Sequence, residues 1–370
     1  MGEWKECKIG DVIKFGNGKV RPNSIGKIPV YGGNGILSFC DEANYENETI
    51  IIGRVGAYCG AVYYENKPIW VSDNALAAKP KEKFNAKFLF YLLKNLELNQ
   101  FAEGSSHPLV TQSLLNSIDV LITDDESEQR AIASVLSSLD DKIDLLQREN
   151  QTLEQIAETL FRQLFVEEAS DDWEEVPLGN SSLATIIKSG IHYFEGEKIY
   201  LETGDVDNTE IKGGKPVTYK NRPSRANMEP LPYSVWFAKK GGVRKLLMFD
   251  DYAFNINDLI LSTGFTGLKT TKLSHYYLWC YLLSSEFQDI KDNFISGSVQ
   301  PDINNESLLQ IMVLKPENET LIKFNQIVEN YFHKISINRK QISVLERLRD
   351  TLLPKLMSGE VRVTLTEEKA

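Results

Sequence analysis

The chain is written twice. Trp4-Lys5-Glu6-Cys7-Lys8-Ile9-Gly10 resembles Trp173-Glu174-Glu175-Val176-Pro177-Leu178-Gly179, each a Trp, a charged pair and an apolar residue closed by Gly. Gly104-Ser105-Ser106-His107-Pro108 resembles Gly297-Ser298-Val299-Gln300-Pro301. Each copy then passes through a Leu-containing stretch into a short apolar strand, 118–122 and 311–314, a polar break and a long helical pattern. A repeat this long constrains the fold to two like units, because each copy carries the same apolar pattern to bury. The second copy is longer between its edges, so constant ends surround a variable middle. A scaffold presenting a recognition surface has this form, and so does a duplicated structural module.

The helical patterns are coiled-coil seams. Ile132, Leu136, Leu139, Ile143, Leu146, Asn150, Leu153, Ala157, Leu160 and Leu164 step by alternating fours and threes, with no Pro or Gly between Gln129 and Phe165. At 1.5 Å per residue such a helix runs about 55 Å. The repeat offset puts a second seam at Phe324, Val328, Tyr331, Ile335, Asn338, Ile342, Leu345, Arg349, Leu352 and Leu356, with Pro354 and Ser358-Gly359 expected to stop it. A narrow seam needs a partner helix, and each is the other's simplest partner. An antiparallel register that sets Asn150 against Asn338 also sets Leu146 against Ile342, Leu153 against Ile335 and Ala157 against Tyr331. Leu139 against Arg349 is its one poor layer. A buried polar layer fixes register at some cost in stability.

The expected fold is therefore α+β: modules 1–124 and 169–316, helical spacers 125–168 and 317–358, and a tail 359–370. Each module is expected to carry short strands at its edges, the first with a helix over 86–98. An antiparallel pair joining two copies of one module implies an approximate two-fold axis. Paired DNA half-sites about 34–36 Å apart are read by this kind of symmetry.

The net charge of −11 argues against nucleic acid until it is located. Residues 125–168 hold 4 basic and 11 acidic side chains, while 1–124 hold 13 and 14 and 173–316 hold 15 and 17. The acid is mostly one helix, expected to face a protein partner or solvent, and the modules are free to carry local basic faces. Cys7, Cys40, Cys59 and Cys280 stand far apart at no metal-ligand spacing and imply a reducing compartment. With no signal-peptide stretch and no apolar run near the roughly 20 residues that span a bilayer, the expected location is the cytoplasm, away from membranes.

No Gly-x-x-x-x-Gly-Lys-Ser/Thr loop is present for nucleotide phosphates, nor an Asn-Pro-Pro-aromatic segment of the adenine methyltransferase type. The histidines are scattered, and no carboxylate pair stands in a catalytic motif. No catalytic residue, cofactor or metal is expected.

Two modules alternating with two long helices resemble the specificity subunit of type I restriction–modification enzymes, over nearly the whole chain. The echoes are the Trp-x-x-x-x-Leu/Ile-Gly openings, Glu202-Thr203-Gly204-Asp205-Val206, Gly53-Arg54-Val55-Gly56-Ala57-Tyr58-Cys59-Gly60, Asp73-Asn74-Ala75-Leu76 and Glu128-Gln129-Arg130-Ala131-Ile132-Ala133. The resemblance implies two target-recognition domains, each reading half of a split double-stranded DNA site. It implies helices that set the spacing and dock two methyltransferase subunits, and restriction subunits that can join the assembly. In the second module Leu261-Ser262-Thr263-Gly264-Phe265-Thr266-Gly267 replaces the Gly-Arg loop, leaving Arg54 without a counterpart and implying different half-sites. A self-contained DNA-modifying enzyme and a duplicated protein-binding scaffold are the rival readings.

DNA contacts need Lys or Arg for phosphates and Arg, Lys, Asn or Gln for base edges. The second module offers Lys215, Lys220, Arg222 and Arg225 in one polar stretch, beside Tyr219, and Lys239, Lys240, Arg244 and Lys245 around Gly241-Gly242. The first offers Lys19 and Arg21 in a turn-rich stretch, and Arg54 and Tyr58 between glycines. Ser105 and Ser298 follow glycines in the repeated element and suit a place beside phosphate. Leu146, Asn150, Leu153, Ile335, Asn338 and Ile342 are the expected helix-pairing residues.

Overall fold

The computed structural model describes residues 2–104, 108–253, 255–296 and 303–363. Ser105 and Ser298 lie outside them. The chain divides into two compact units, one of residues up to Leu145 with those from Ser343 on, the other Leu146–Ile342. Each unit is thus a module with its own stretch of both long helices. The helices are Glu126–Arg162, which runs on into a π-turn at Gln163–Glu167, and Asn318–Met357.

In the first unit the opening strand Trp4–Lys8 pairs antiparallel with the closing strand Asp119–Thr123, Trp4 facing Thr123. A four-stranded sheet follows in the order Ile13–Asn17, Ala75–Pro80, Thr49–Gly53, Val62–Glu65. Thr49–Gly53 is buried at every position, as its continuous apolar run requires. A three-stranded sheet of Gly35–Cys40, Ile28–Gly32 and Trp70–Val71 lies outside it in the strand order. The helix Ala86–Asn95 starts where Asn85 Oδ1 accepts the Phe88 amide at 2.9 Å, and it buries Phe88, Leu89, Leu92 and Leu93.

The second unit repeats the plan. Glu174–Pro177 pairs antiparallel with Met312–Lys315, and a four-stranded sheet runs Ala184–Ile186, Phe265–Thr270, Ser234–Ala238, Leu246–Phe249. Its counterpart helix, His275–Leu283, is buried at all its positions. The short helices before the closing strands share their caps: Thr111 Oγ1 accepts Leu114 N at 3.2 Å and Asn304 Oδ1 accepts Ser307 N at 2.8 Å. The extra length lies in a second four-stranded sheet of Lys215–Val217, Lys198–Leu201, Leu259–Ser262 and Ala226–Met228. The closing strands start one residue later than the sequence pattern suggests.

The helix segments run antiparallel within each unit. In the second, Phe165 meets Phe324 edge-on at 5.1 Å and, further along, Asn338 Nδ2 donates to Asn150 Oδ1 at 2.9 Å. Ile335 and Leu146 are buried here, and Leu153 and Ile342 half-buried. In the first, Ile132, Leu136 and Leu356 share one core.

Two expectations are corrected. Pro354 does not stop the second helix, which continues to Met357. Its missing N–H releases only the Asp350 carbonyl, on an exposed face one turn from the end. The stop falls at Gly359, whose φ of +72° suits glycine. Arg349 does not spoil its layer, because its guanidinium reaches sideways to Asp140 at 2.9 Å.

Candidate nucleic-acid interface

Arg54 follows directly on the buried strand Thr49–Gly53. Its N–H donates to Asn74 O at 3.0 Å, and its carbonyl accepts Val110 N at 2.9 Å and Cys59 Sγ at 3.2 Å. The backbone is pinned and the guanidinium makes no ion pair among the described residues. Close approach requires the glycines: a Cβ on Gly53 would stand 2.4 Å from Tyr58 O, and Gly56 has φ +79°. Tyr58 projects from the 3-10 turn Gly56–Tyr58, 54% exposed. At the turn that carries Asn74, Gly18 N donates to Ala75 O at 3.2 Å and Lys19 N to Val71 O at 3.0 Å. Lys19 and Arg21 are exposed there.

The second module builds the same place from different residues. Ser234–Ala238 occupies the sheet position of Thr49–Gly53, so the residue equivalent to Arg54 is Lys239. Lys239 N donates to Gly264 O at 2.9 Å, as Arg54 N does to Asn74 O, and Lys239 O accepts Ile303 N at 3.1 Å, as Arg54 O accepts Val110 N. The sequence reading that Leu261–Gly267 replaces the Arg54 loop is therefore wrong. That segment matches the 73–76 turn, and Arg54 has a cationic counterpart. Arg225 flanks this turn, its carbonyl accepting Thr263 N at 2.9 Å and its guanidinium 3.1 Å from where a Cβ on Gly264 would stand. Lys220, Arg225 and Lys240 are exposed, without a carboxylate partner among the described residues.

Other expected cations are engaged by groups of this chain. Arg244 Nη2 binds Glu158 Oε1 at 3.0 Å, and Lys245 Nζ donates to Thr203 O at 2.6 Å. Lys215 pairs with Glu202 at 3.5 Å on the surface. Arg222 stacks over Tyr219 at 4.3 Å and donates to the carbonyls of Tyr219 and Ala226, which stiffens the 218–226 loop. Sequence reasoning also missed Val20 and Ile25, 76% and 94% exposed beside Lys19 and Arg21. Their signal was an aliphatic residue within a Pro-, Gly- and Ser-containing stretch.

The arrangement defines a class: a duplicated protein whose two modules carry a cationic residue at one topologically equivalent turn. The family model described as a type I restriction modification DNA specificity domain matches residues 1–155. The MjaIX specificity subunit of Methanocaldococcus jannaschii is 26% identical over 351 residues, covering 82% of this chain and 76% of the relative. The HindI specificity subunit of Haemophilus influenzae is 22% identical, covering 98% and 100%. The S subunit of a type I restriction–modification system from M. genitalium shares the fold, with TM-score 0.63, 19% identity and 96% of both chains covered. Over residues 1–155 the chain thus matches the domain model of type I specificity subunits, and over most of its length it is similar to members of that family. No helix among the described residues is long and apolar enough to cross a membrane.

Proposed function

We propose that this chain reads a bipartite double-stranded DNA site in the cytoplasm, one half-site per module, as the non-catalytic subunit of a complex with two methyltransferase subunits, which restriction subunits can join. The observation that carries this reading is the equivalence of Arg54 and Lys239, held by matching backbone bonds at the same turn of two otherwise divergent modules. Lys19, Arg21 and Tyr58 flank the first turn, and Lys220, Arg225 and Lys240 serve the second module. Exposed Val20 and Ile25 suit contact with thymine methyl groups, which a polar loop cannot make. The divergent centres read different half-sites.

Mapping methylated adenines in cells with and without the chain tests this. The expected result is a split motif of fixed spacing that vanishes with the chain, and an unchanged methylation pattern overturns the reading. Arg54→Ala is expected to weaken the first half-site by about tenfold, in line with the loss of one charged contact.

A further inference from the structure

Both modules are fastened to the helices by the same chemistry. In the first unit Asp140, on the helix Glu126–Arg162, accepts the Tyr91 hydroxyl at 2.8 Å and Arg349 Nη1 at 2.9 Å. In the second, Glu154 on that helix accepts the Thr209 hydroxyl at 3.1 Å and Arg339 Nη2 at 3.1 Å. Each joint is a carboxylate from one long helix, an arginine from the other and a hydroxyl from the module. Thr209 stands in the hairpin of Val206–Asp207 and Glu210–Ile211, and Arg339 also donates to its carbonyl at 3.3 Å, so the hairpin is gripped by side chain and backbone together.

The duplication does not account for this pair of joints. The repeat offset carries Asp140 to Phe332 and Glu154 to Glu346, so neither joint is the copy of the other. The same triplet arose at unrelated positions in the two units, with both carboxylates on one helix and both arginines on the other.

Packing in the second unit shows what the joint does. The module meets the helices through an apolar hub in which Phe161 lies 5.5 Å from Tyr277 and Phe332 stacks on Tyr276 at 4.9 Å. Apolar burial is non-directional and leaves tilt weakly specified. Glu154 sits two turns from Phe161, about 10 Å along the axis, where a directional bond has leverage over tilt. A polar cleft of about 490 Å³ opens beside it along Gln147, Gln151 and Gln155, so close packing does not fix the Thr209 hairpin on that side.

We propose that Asp140, Arg349 and Tyr91, and Glu154, Arg339 and Thr209, are positioning residues that lock each module's tilt on its helices and thereby set the half-site spacing that the chain accepts. This rests on the bipartite-DNA reading and deepens it. The joints touch no DNA. They act by confining the recognition turns to one distance along the duplex, and a looser joint lets the same bases be read at a neighbouring spacing.

The test uses the complex with its methyltransferase subunits and duplexes whose mapped half-sites are moved one base pair closer or further apart. Thr209→Val and Tyr91→Phe remove single hydroxyls and keep shape. Each is expected to cut the preference for the native spacing by roughly tenfold, the scale of one hydrogen bond to a charged group. Thr209→Ser keeps the hydroxyl and is expected to keep the preference. If Thr209→Val fails to fold, Glu154→Gln carries the same expectation. An unchanged preference in both hydroxyl variants overturns the proposal, even where the overall rate falls, because a merely structural role lowers all spacings alike. A wild-type complex that ignores the bipartite duplex overturns instead the DNA reading beneath it.

Discussion

Among single residues, His275 makes the sharpest statement about stability. It opens the buried helix of the second module, with Nδ1 2.8 Å from Thr270 Oγ1. Burial, helped by Lys269, pulls its pKa from 6.5 down to about 3. Between those values the unfolded chain binds a proton that the folded chain refuses. The contribution of neutral His275 is thus complete above pH 6.5 and is lost as pH falls toward 3. Relative to wild type, His275→Gln is expected to gain stability on acidification, by up to about 1.4 kcal/mol per pH unit. Urea unfolding of both proteins at pH 7.5 and 5 measures it, and a difference independent of pH refutes it. Legibility at this scale was uneven. Arg54 and Lys239 were each conspicuous as cations beside glycines, but their equivalence lies in backbone bonds that side-chain patterns do not record. Arg244 and Lys245 looked like part of one basic face. Their pairing with Glu158 and with a carbonyl of the 203–205 turn involves groups distant in sequence.

The two long helices were legible as elements because a regular 3.5-residue period has no competing reading. An asparagine in such a seam stands out in the sequence, and the structure adds its bond. The charge pattern was read only in part, for Glu126, Asp141, Asp144, Glu167 and Glu168 are exposed as expected. The acidic helix was expected to face a partner or solvent, yet Glu128, Asp140, Glu149, Glu154 and Glu158 take Arg362, Arg349, Lys334, Arg339 and Arg244 of this same chain. A count of charge along one segment cannot show that the matching cations come from elsewhere in the chain. Burial raises the Glu154 carboxyl pKa against the pull of Arg339 and Thr209, so desolvation of the carboxylate outweighs what its partners return. The asparagine layer invites the same comparison. Asn338→Leu strands the buried Asn150 and is expected to cost about 1–3 kcal/mol, while Asn150→Leu with Asn338→Leu restores most of it. Denaturant melts of the single and double variants decide this, and a neutral single variant removes the layer from the account of register.

At the scale of the whole molecule, a chain of net charge −11 must bind a polyanion locally. Salt screens charges over about 8 Å at physiological strength, so for DNA held at the proposed turns the paired carboxylates on the helices would matter less than the cations beside it. Lys19, Arg21 and Arg54 in one module, and Lys220, Arg225 and Lys240 in the other, are the candidates that engage no carboxylate among the described residues. Each that neutralises one phosphate steepens the fall of log affinity with log salt by about 0.9. Changing Lys220, Arg225 and Lys240 together to Ala is therefore expected to make that slope shallower by about 3 in the complex with methyltransferase subunits. Arg244→Ala serves as the contrast. Its guanidinium is held by Glu158, so its loss is expected to leave the slope unchanged. Titrating labelled duplex from low to moderate salt gives both numbers. A slope that ignores the triple variant, or that follows Arg244 instead, would move the second half-site's phosphate contacts away from the turn beside Lys239.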